Sequence, residues 1–221
     1  MSKIPIIRVE ALPRRTDRVR VHLGDGQTFE LARLVADEAG LRPGADIDEL
    51  ALANLRGRGA LQEALDRALH FLEPRPRSER EVRTRLAQKG TAPELIDPVI
   101  GRLRELGMID DRAFARYWIE NRARFSPRGG RLVKAELRQK GVTSEVVAEL
   151  DEGVDEAAAI GEVAPRLARR LGRLDRQTFR RKLWAQLARR GFDYDTIGPA
   201  IDAAWQALNA EAPENRSDAK E

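Results

Sequence analysis

Cysteine is absent from all 221 residues, which removes disulfide frameworks, thiol nucleophiles and thiolate-held zinc or iron–sulfur centres together. His22 and His70 are the only imidazoles. They stand far apart without companion ligands, so each reads as a packing or surface residue. No stretch reaches the roughly 20 apolar residues of a membrane span, and Met1 to Glu10 lack the apolar core of a secretory signal; a cytoplasmic location is the expectation. Phosphate-cradling, dinucleotide, zinc-protease and serine-hydrolase signatures are all missing from the sequence. Asp110-Asp111 is the one conspicuous pair of adjacent carboxylates. Such a pair suits a divalent cation, but these two stand directly before a helix containing Phe114, where an N-cap and the helix dipole account for both. Asp193 and Asp195, before the last helix, receive the same reading. No nucleophile, base and orienting group can be assembled, so an enzyme is the least favoured class and neither cofactor nor metal is expected.

What the chain has in abundance is charge. The net value of +4 conceals 40 basic and 36 acidic residues, so their distribution decides the matter. Residues 112–140 carry nine basic and two acidic side chains, residues 166–190 ten and one, and residues 143–162 between them seven acidic and no basic ones. Two concentrated positive blocks attract polyanions by counterion release; the bland alternative is arginine solvating helix faces.

The first 35 or so residues read as β structure. Val19, Val21 and Leu23 alternate with polar neighbours, Gly24-Asp25-Gly26 supplies a turn, and Phe29 and Leu31 resume the alternation. A third strand is available around Ile4 to Val9, and a short helix is predicted over 32–39. Arg56-Gly57-Arg58-Gly59 looks like a hinge, which makes residues 1–60 a small β-rich module, separate from the rest of the chain.

From residue 61 the pattern is helical and repeats. Leu86-Ala87-Gln88-Lys89-Gly90, Leu137-Arg138-Gln139-Lys140-Gly141 and Leu187-Ala188-Arg189-Arg190-Gly191 share one form, with glycines 51 and 50 residues apart. Val82, Val133 and Leu183 lie one turn before each leucine; Ile96, Val147 and Ile197 lie six residues after each glycine. The leucines form a buried stripe, the basic residue suits the negative helix end, and glycine adopts the left-handed cap. A helix precedes and another follows each motif, giving three-helix repeats over 61–109, 110–153 and 154–208. Units this small bury little alone, so a mainly α, elongated tandem array is expected. The tail, 209–221, is polar and expected to be disordered.

Phase separates a cationic face from scatter. Arg131, Lys134 and Arg138 fall within a sector of about 60° on a helical wheel, away from Val133 and Leu137. Phe179, Leu183 and Leu187 form a buried stripe that leaves Arg180, Arg181 and Lys182 outside, and Arg169, Arg170 and Arg173 extend that region. Arg116, Arg122 and Arg124 are interleaved with Phe114, Tyr117 and Trp118. Tyr117 or Trp118 stacking on bases is one reading; their helical spacing with Phe114 favours a core role. Arg128 and Lys140 complete the set of partner- or DNA-binding candidates.

Arg77-Ser78-Glu79, Leu86 to Gly90, Leu106-Gly107-Met108-Ile109-Asp110-Asp111 with Phe114-Ala115, and Gly130 with Glu136 to Val142 together resemble the RecX family of bacterial recombination regulators. The resemblance spans about residues 61–208 and is specific over 77–142. In the third repeat the motif shrinks to Leu187, Arg190 and Gly191. It implies a modulator of the RecA recombinase, with tandem three-helix repeats lying in the groove of the RecA–DNA filament and inhibiting its ATPase, coprotease and strand-exchange activities. RecA, single-stranded DNA and possible double-stranded DNA are then the partners, no membrane is involved, and a monomer is expected. Two competitors stay open: a sequence-independent DNA-binding protein acting without RecA, and a helical scaffold for an acidic protein.

Overall fold

The structure is a computed structural model that describes residues 3–13, 15–150 and 155–210. It divides into two compact units, one comprising residues 1–75 with 82–109, the other 76–81 with 110–221.

The first unit begins with a four-stranded antiparallel sheet. Strands β1 (Lys3–Leu12), β2 (Arg15–Leu23), β3 (Thr28–Ala32) and β4 (Asp46–Asp48) take the order β3-β2-β1-β4. Val19 pairs with Leu31 and Val21 with Phe29 across the hairpin, closed by a turn in which Gly26 has φ +84°. The predicted alternation is present: Val19, Val21 and Leu23 are buried, and so is Leu31. Helix α1 (Arg33–Glu38) lies within the predicted 32–39. Edge strand β4 was not expected; at three residues it is too short to show periodicity.

Helix α2 (Glu49–Leu72) overturns the predicted hinge. It starts at Asp48, whose carboxylate accepts a hydrogen bond from the Ala51 amide at 2.7 Å, and continues unbroken through Gly57 and Gly59. Gly59 serves close approach: a side chain there would run into the Glu30 carbonyl of β3. Leu52 and Leu55 complete the core beneath the sheet, whereas Ala64 and Ala68 belong to the core of the first repeat with Val82, Leu86, Val99, Ile100 and Leu103. One helix therefore serves two cores, and residues 1–60 are not a separate body. Arg18, the exception to the polar alternation of β2, is buried at 2% exposure beneath the hairpin and reaches Asp66 of α2 at 3.4 Å.

The first repeat is completed by α3 (Glu79–Gln88) and α4 (Pro93–Glu105); the second consists of α5 (Asp111–Phe125), α6 (Gly130–Gln139) and α7 (Ser144–Glu149); the third of α8 (Glu156–Arg169), α9 (Arg176–Arg189) and α10 (Tyr194–Ala210). Each has its own apolar cluster, the second around Phe114, Val133, Leu137 and Val147, the third around Phe179, Leu183, Leu187, Ile197 and Ile201. Gly90, Gly141 and Gly191 take φ of +74°, +90° and +82°, the left-handed cap expected of them. Asp110 caps α5 through the Arg112 amide at 2.8 Å. Asp111 lies in the first turn of α5, as the dipole reading has it, and its carboxylate also accepts from the Glu79 amide at 3.0 Å, at the start of α3. The C-terminal stretch differs as well, because α10 extends through Ala210; residues 211–221 lie outside the described residues, as do 151–154 of the acidic band.

Within the second unit the same joint occurs twice. The Ser78 hydroxyl, just before α3, donates to the Lys140 carbonyl at 2.6 Å; the Gly129 amide, just before α6, donates to the Arg190 carbonyl at 3.0 Å. Both acceptors are the last residue before a capping glycine. Contact is close enough that a side chain at Gly129 would overlap the Gly191 backbone.

Gly129→Ala should therefore cost about 3 kcal/mol or more, since backbone cannot yield as a side chain can. Gly90→Ala, with open space around it, should cost only the left-handed strain of about 1–2 kcal/mol. Urea unfolding of the two variants measures the difference.

Candidate polyanion-binding surface

Trp118, on α5, is central to the second repeat's polar interior. Its Nε1 donates to Glu136 Oε2 at 2.9 Å, Arg122 Nε donates to the same oxygen at 2.7 Å, and Arg128 pairs with the other carboxylate oxygen. The Arg122 guanidinium sits 4.4 Å from the Trp118 ring centre and the Lys140 ammonium 4.5 Å from it, a cation–π arrangement on both. Lys140 also pairs with Glu81 at 2.8 Å. Glu136 is 12% exposed and its two arginine partners 23% and 33%. Arg122, Arg128 and Lys140 are thus neutralised within the fold and serve its architecture. Trp118 packs against the Phe114 cluster, and Phe114 and Trp118 rings approach to 5.9 Å, which is the core role rather than a base-stacking one.

On α6, Arg138 is exposed, as expected of the cationic face. Arg131 is exposed too, but its Nη2 donates to the Ala188 carbonyl at 3.1 Å, so it secures the next repeat. Lys134, half-buried, also has interactions of its own. Arg116 and Arg124 are exposed on α5, with Arg124 lying 5.1 Å from the Phe125 ring centre.

Among the described residues, the third repeat has more exposed arginine and lysine side chains than either of the others. Arg169, Arg170 and Arg173 are exposed at and beyond the end of α8, and Arg180, Arg181 and Lys182 are exposed along α9. Of these, Arg180 approaches Asp202 at 3.8 Å with both side chains about half exposed, a contact worth little in water. Arg170 also lines a cleft of about 260 Å³ with Arg166, Arg190, Phe125, Ser126 and Pro127. Arg166 pairs with Glu162 at 3.0 Å, while Arg190 Nη1 donates to the Gln186 carbonyl at 3.2 Å. Three guanidinium groups lining one mostly polar cleft suit an anionic ligand. Arg166, Arg190 and Phe125 were not selected from sequence. The i, i+4 spacing of Arg166 and Arg170 was a usable signal; the arrival of Phe125 from another repeat was not.

Elsewhere the titratable groups are structural. Arg112 and Glu149 tie α5 to α7 at 2.7 Å, and this bond holds the Glu149 carboxyl below its usual range and raises Arg112. His22 pairs with Glu10 across β1 and β2 at 3.1 Å and lowers the Glu10 carboxyl, and His70 lies beside Glu73 at 2.9 Å. Among the described residues no His, Asp and Glu cluster has the form of a metal site, and no helix is long and apolar enough to cross a membrane.

Three family models match in tandem: the first, second and third three-helix domains of RecX cover residues 64–103, 110–150 and 155–201. The chain belongs to the RecX family. Regulatory protein RecX of Prosthecochloris aestuarii is 37% identical over 141 residues, covering 64% of this chain and 93% of its own. Regulatory protein RecX of Levilactobacillus brevis is 31% identical, covering 94% and 82%, and that of Bacillus subtilis 26% identical, covering 89% and 76%. A crystal structure of regulatory protein RecX superimposes with a TM-score of 0.67 over 94% of this chain and 99% of the other at 24% identity. One of RecX from Lactobacillus salivarius gives 0.57 over 68% and 97% at 23% identity. These two likenesses concern the fold. The RecX relatives are named as regulatory proteins, and a regulatory role follows for this chain.

Removing the carboxylate that joins Trp118, Arg122 and Arg128 leaves two half-buried cations unpaired. Glu136→Ala should cost about 2 kcal/mol, below the 3–5 of a fully buried pair, and should alter tryptophan fluorescence. Unfolding monitored through that signal checks both.

The Arg112–Glu149 bond has a definite pH sign. Glu149 is held below its usual range, so the bond stabilises above the ordinary carboxylate range and is lost as pH falls through the depressed value. Glu149→Gln should flatten the acid limb of a pH–stability profile.

Proposed function

We propose that this RecX protein regulates the RecA recombinase by binding the RecA–DNA filament and inhibiting its ATPase, coprotease and strand-exchange activities, and so controls DNA repair and recombination. The observation that carries this reading is the tandem match of all three RecX domains. The exposed arginines of the third repeat, with Arg116, Arg124 and Arg138 of the second, give the surface a means of meeting DNA phosphates and acidic patches of the recombinase. Several weak contacts spread over tandem units act together because binding by one raises the effective concentration of the next. On this reading the protein works in the cytoplasm, as a monomer.

A second reading, DNA binding without RecA, is favoured by the arginine-lined cleft around Arg170, since guanidinium groups recognise phosphate irrespective of any protein partner. The single-stranded-DNA-dependent ATPase of the cognate RecA separates the two. Titrated with this protein, it should be inhibited at ratios well below those needed to coat the DNA; inhibition only at saturation means competition for the strand. Arg169→Glu, Arg170→Glu and Arg173→Glu together should weaken inhibition at least tenfold, about 1.4 kcal/mol, with helical content unchanged by circular dichroism. Unaltered inhibition by that folded variant refutes the role given to this face.

A further inference from the structure

The residue ten positions before the repeat glycine is arginine in all three repeats: Arg80, Arg131 and Arg181. In the first two it is used against the repeat that comes next. The stem of Arg80 covers Gly141, and Arg131 donates to the Ala188 carbonyl. The middle helix of the third repeat differs from the other two. Twelve positions before the glycine, where Ser78 and Gly129 supply the joint's donors, stands Phe179, whose amide is spent inside α9 on the Asp175 carbonyl at 2.8 Å. The helix has gained a turn at its start, capped by Asp175 through the Thr178 amide at 3.0 Å. The joint cannot continue, yet its arginine remains.

Arg181 is exposed, and no carboxylate pairs with it among the described residues. It lines a shallow hollow of about 480 Å³ with Gln177, Thr178, Arg180 and Trp184. Gln177, Arg181 and Trp184 lie on the side of α9 opposite the buried Phe179, with Thr178 and Arg180 at its edges, and Trp184 is partly buried against the third repeat's core. Trp184 is stacked on Tyr194 with ring centres 5.7 Å apart and planes within 15°. Tyr194 is 69% exposed. Packing against the third repeat's core accounts for Trp184 but not for Tyr194, one of only two tyrosines in the chain, which lies stacked on it at the surface.

We propose that this face of the third repeat is a stacking site for single-stranded DNA, with a base continuing the Trp184–Tyr194 stack on the open face of Tyr194 and the adjoining phosphates on Arg180 and Arg181. A base offers a π-face that any sequence supplies. In a duplex that face is already occupied by the neighbouring bases, so the site selects single strands. Asp193 and Asp195 flank Tyr194 in sequence, which disfavours phosphate beside the ring and leaves that position to the base. The proposal deepens the regulator reading and rests on it for DNA as the ligand, because a recombinase filament carries a single strand.

The test uses the full-length protein, a fluorescent oligothymidylate of about 12 nucleotides and a mixed-sequence duplex of the same length. Tyr194→Ala should weaken oligothymidylate binding at least about fivefold, leave duplex binding unchanged and keep wild-type helicity. Tyr194→Phe should bind like wild type. Arg181→Gln should reduce the salt slope of oligothymidylate binding by about 0.7, one phosphate contact on a single strand. Wild-type binding by Tyr194→Ala, equal losses on both DNAs, or no oligothymidylate binding by the wild-type protein in about 50 mM salt overturns the proposal. RecA ATPase measured in parallel separates the two readings. Inhibition by the wild-type protein with any of those outcomes sinks the stacking site and leaves the regulator; no inhibition sinks the regulator, and the Tyr194 variants still decide the site.

Discussion

Within the second unit much depends on the carbonyls that precede the capping glycines Gly141 and Gly191. A helix ends with carbonyls that have no partner in their own helix, and the left-handed glycine turns the chain away so that these groups can be approached from outside. Here they are met by the residue that opens the middle helix of the preceding repeat, through the Ser78 hydroxyl at Lys140 and through the Gly129 amide at Arg190. The glycine has two functions in one residue: it permits the turn, and its missing side chain admits the neighbour's backbone or stem. At Gly191, loss of either function would open the joint between the second and third repeats, whose cores, with seven and twelve buried residues among the described ones, are small.

That constraint explains where the cations of the sequence went. In the second repeat, Arg122, Arg128 and Lys140 are drawn inward around Glu136, Glu81 and Trp118, because a packed joint beside a half-buried carboxylate requires counter-charges. In the third repeat Phe179 stands where the joint's donor would be, and Arg169, Arg170, Arg173, Arg180 and Arg181 are exposed. Two segments of similar composition thus have different roles, one architectural and one open to ligands.

The helical repeats were legible because their pattern is local. Leucine four residues after an apolar residue, a basic residue and then glycine specify a helix and its end within one stretch of chain. So were the hairpin, from its alternation, and the cap at Asp110. What was not legible depends on residues distant in sequence. Arg56 to Gly59 has the composition of a hinge, and only the approach of β3 shows why glycine at 59 belongs inside a helix. A helical wheel placed Arg131 on a cationic face but could not show that Ala188 lies within its reach. Asp111 sits in the first turn of its helix as expected, but its further contact with the amide of Glu79, 32 residues away, was not legible. The Arg170 cleft likewise brings Phe125 to α8 and α9, elements that no window of sequence contains together.

The long helix α2 carries a consequence for how this chain can vary. Leu52 and Leu55 face one core and Ala64 and Ala68 another, and the angle between those two faces is fixed by the number of residues separating them. Inserting or deleting one residue turns everything downstream by about 100° and shifts it by about 1.5 Å, pointing polar side chains into whichever core is thrown out of phase. Length changes in this helix are tolerable in increments near whole turns, three, four or seven residues. Among relatives, the spacing between the sheet and the first repeat should therefore drift in steps and not continuously, as the teeth of a gear allow.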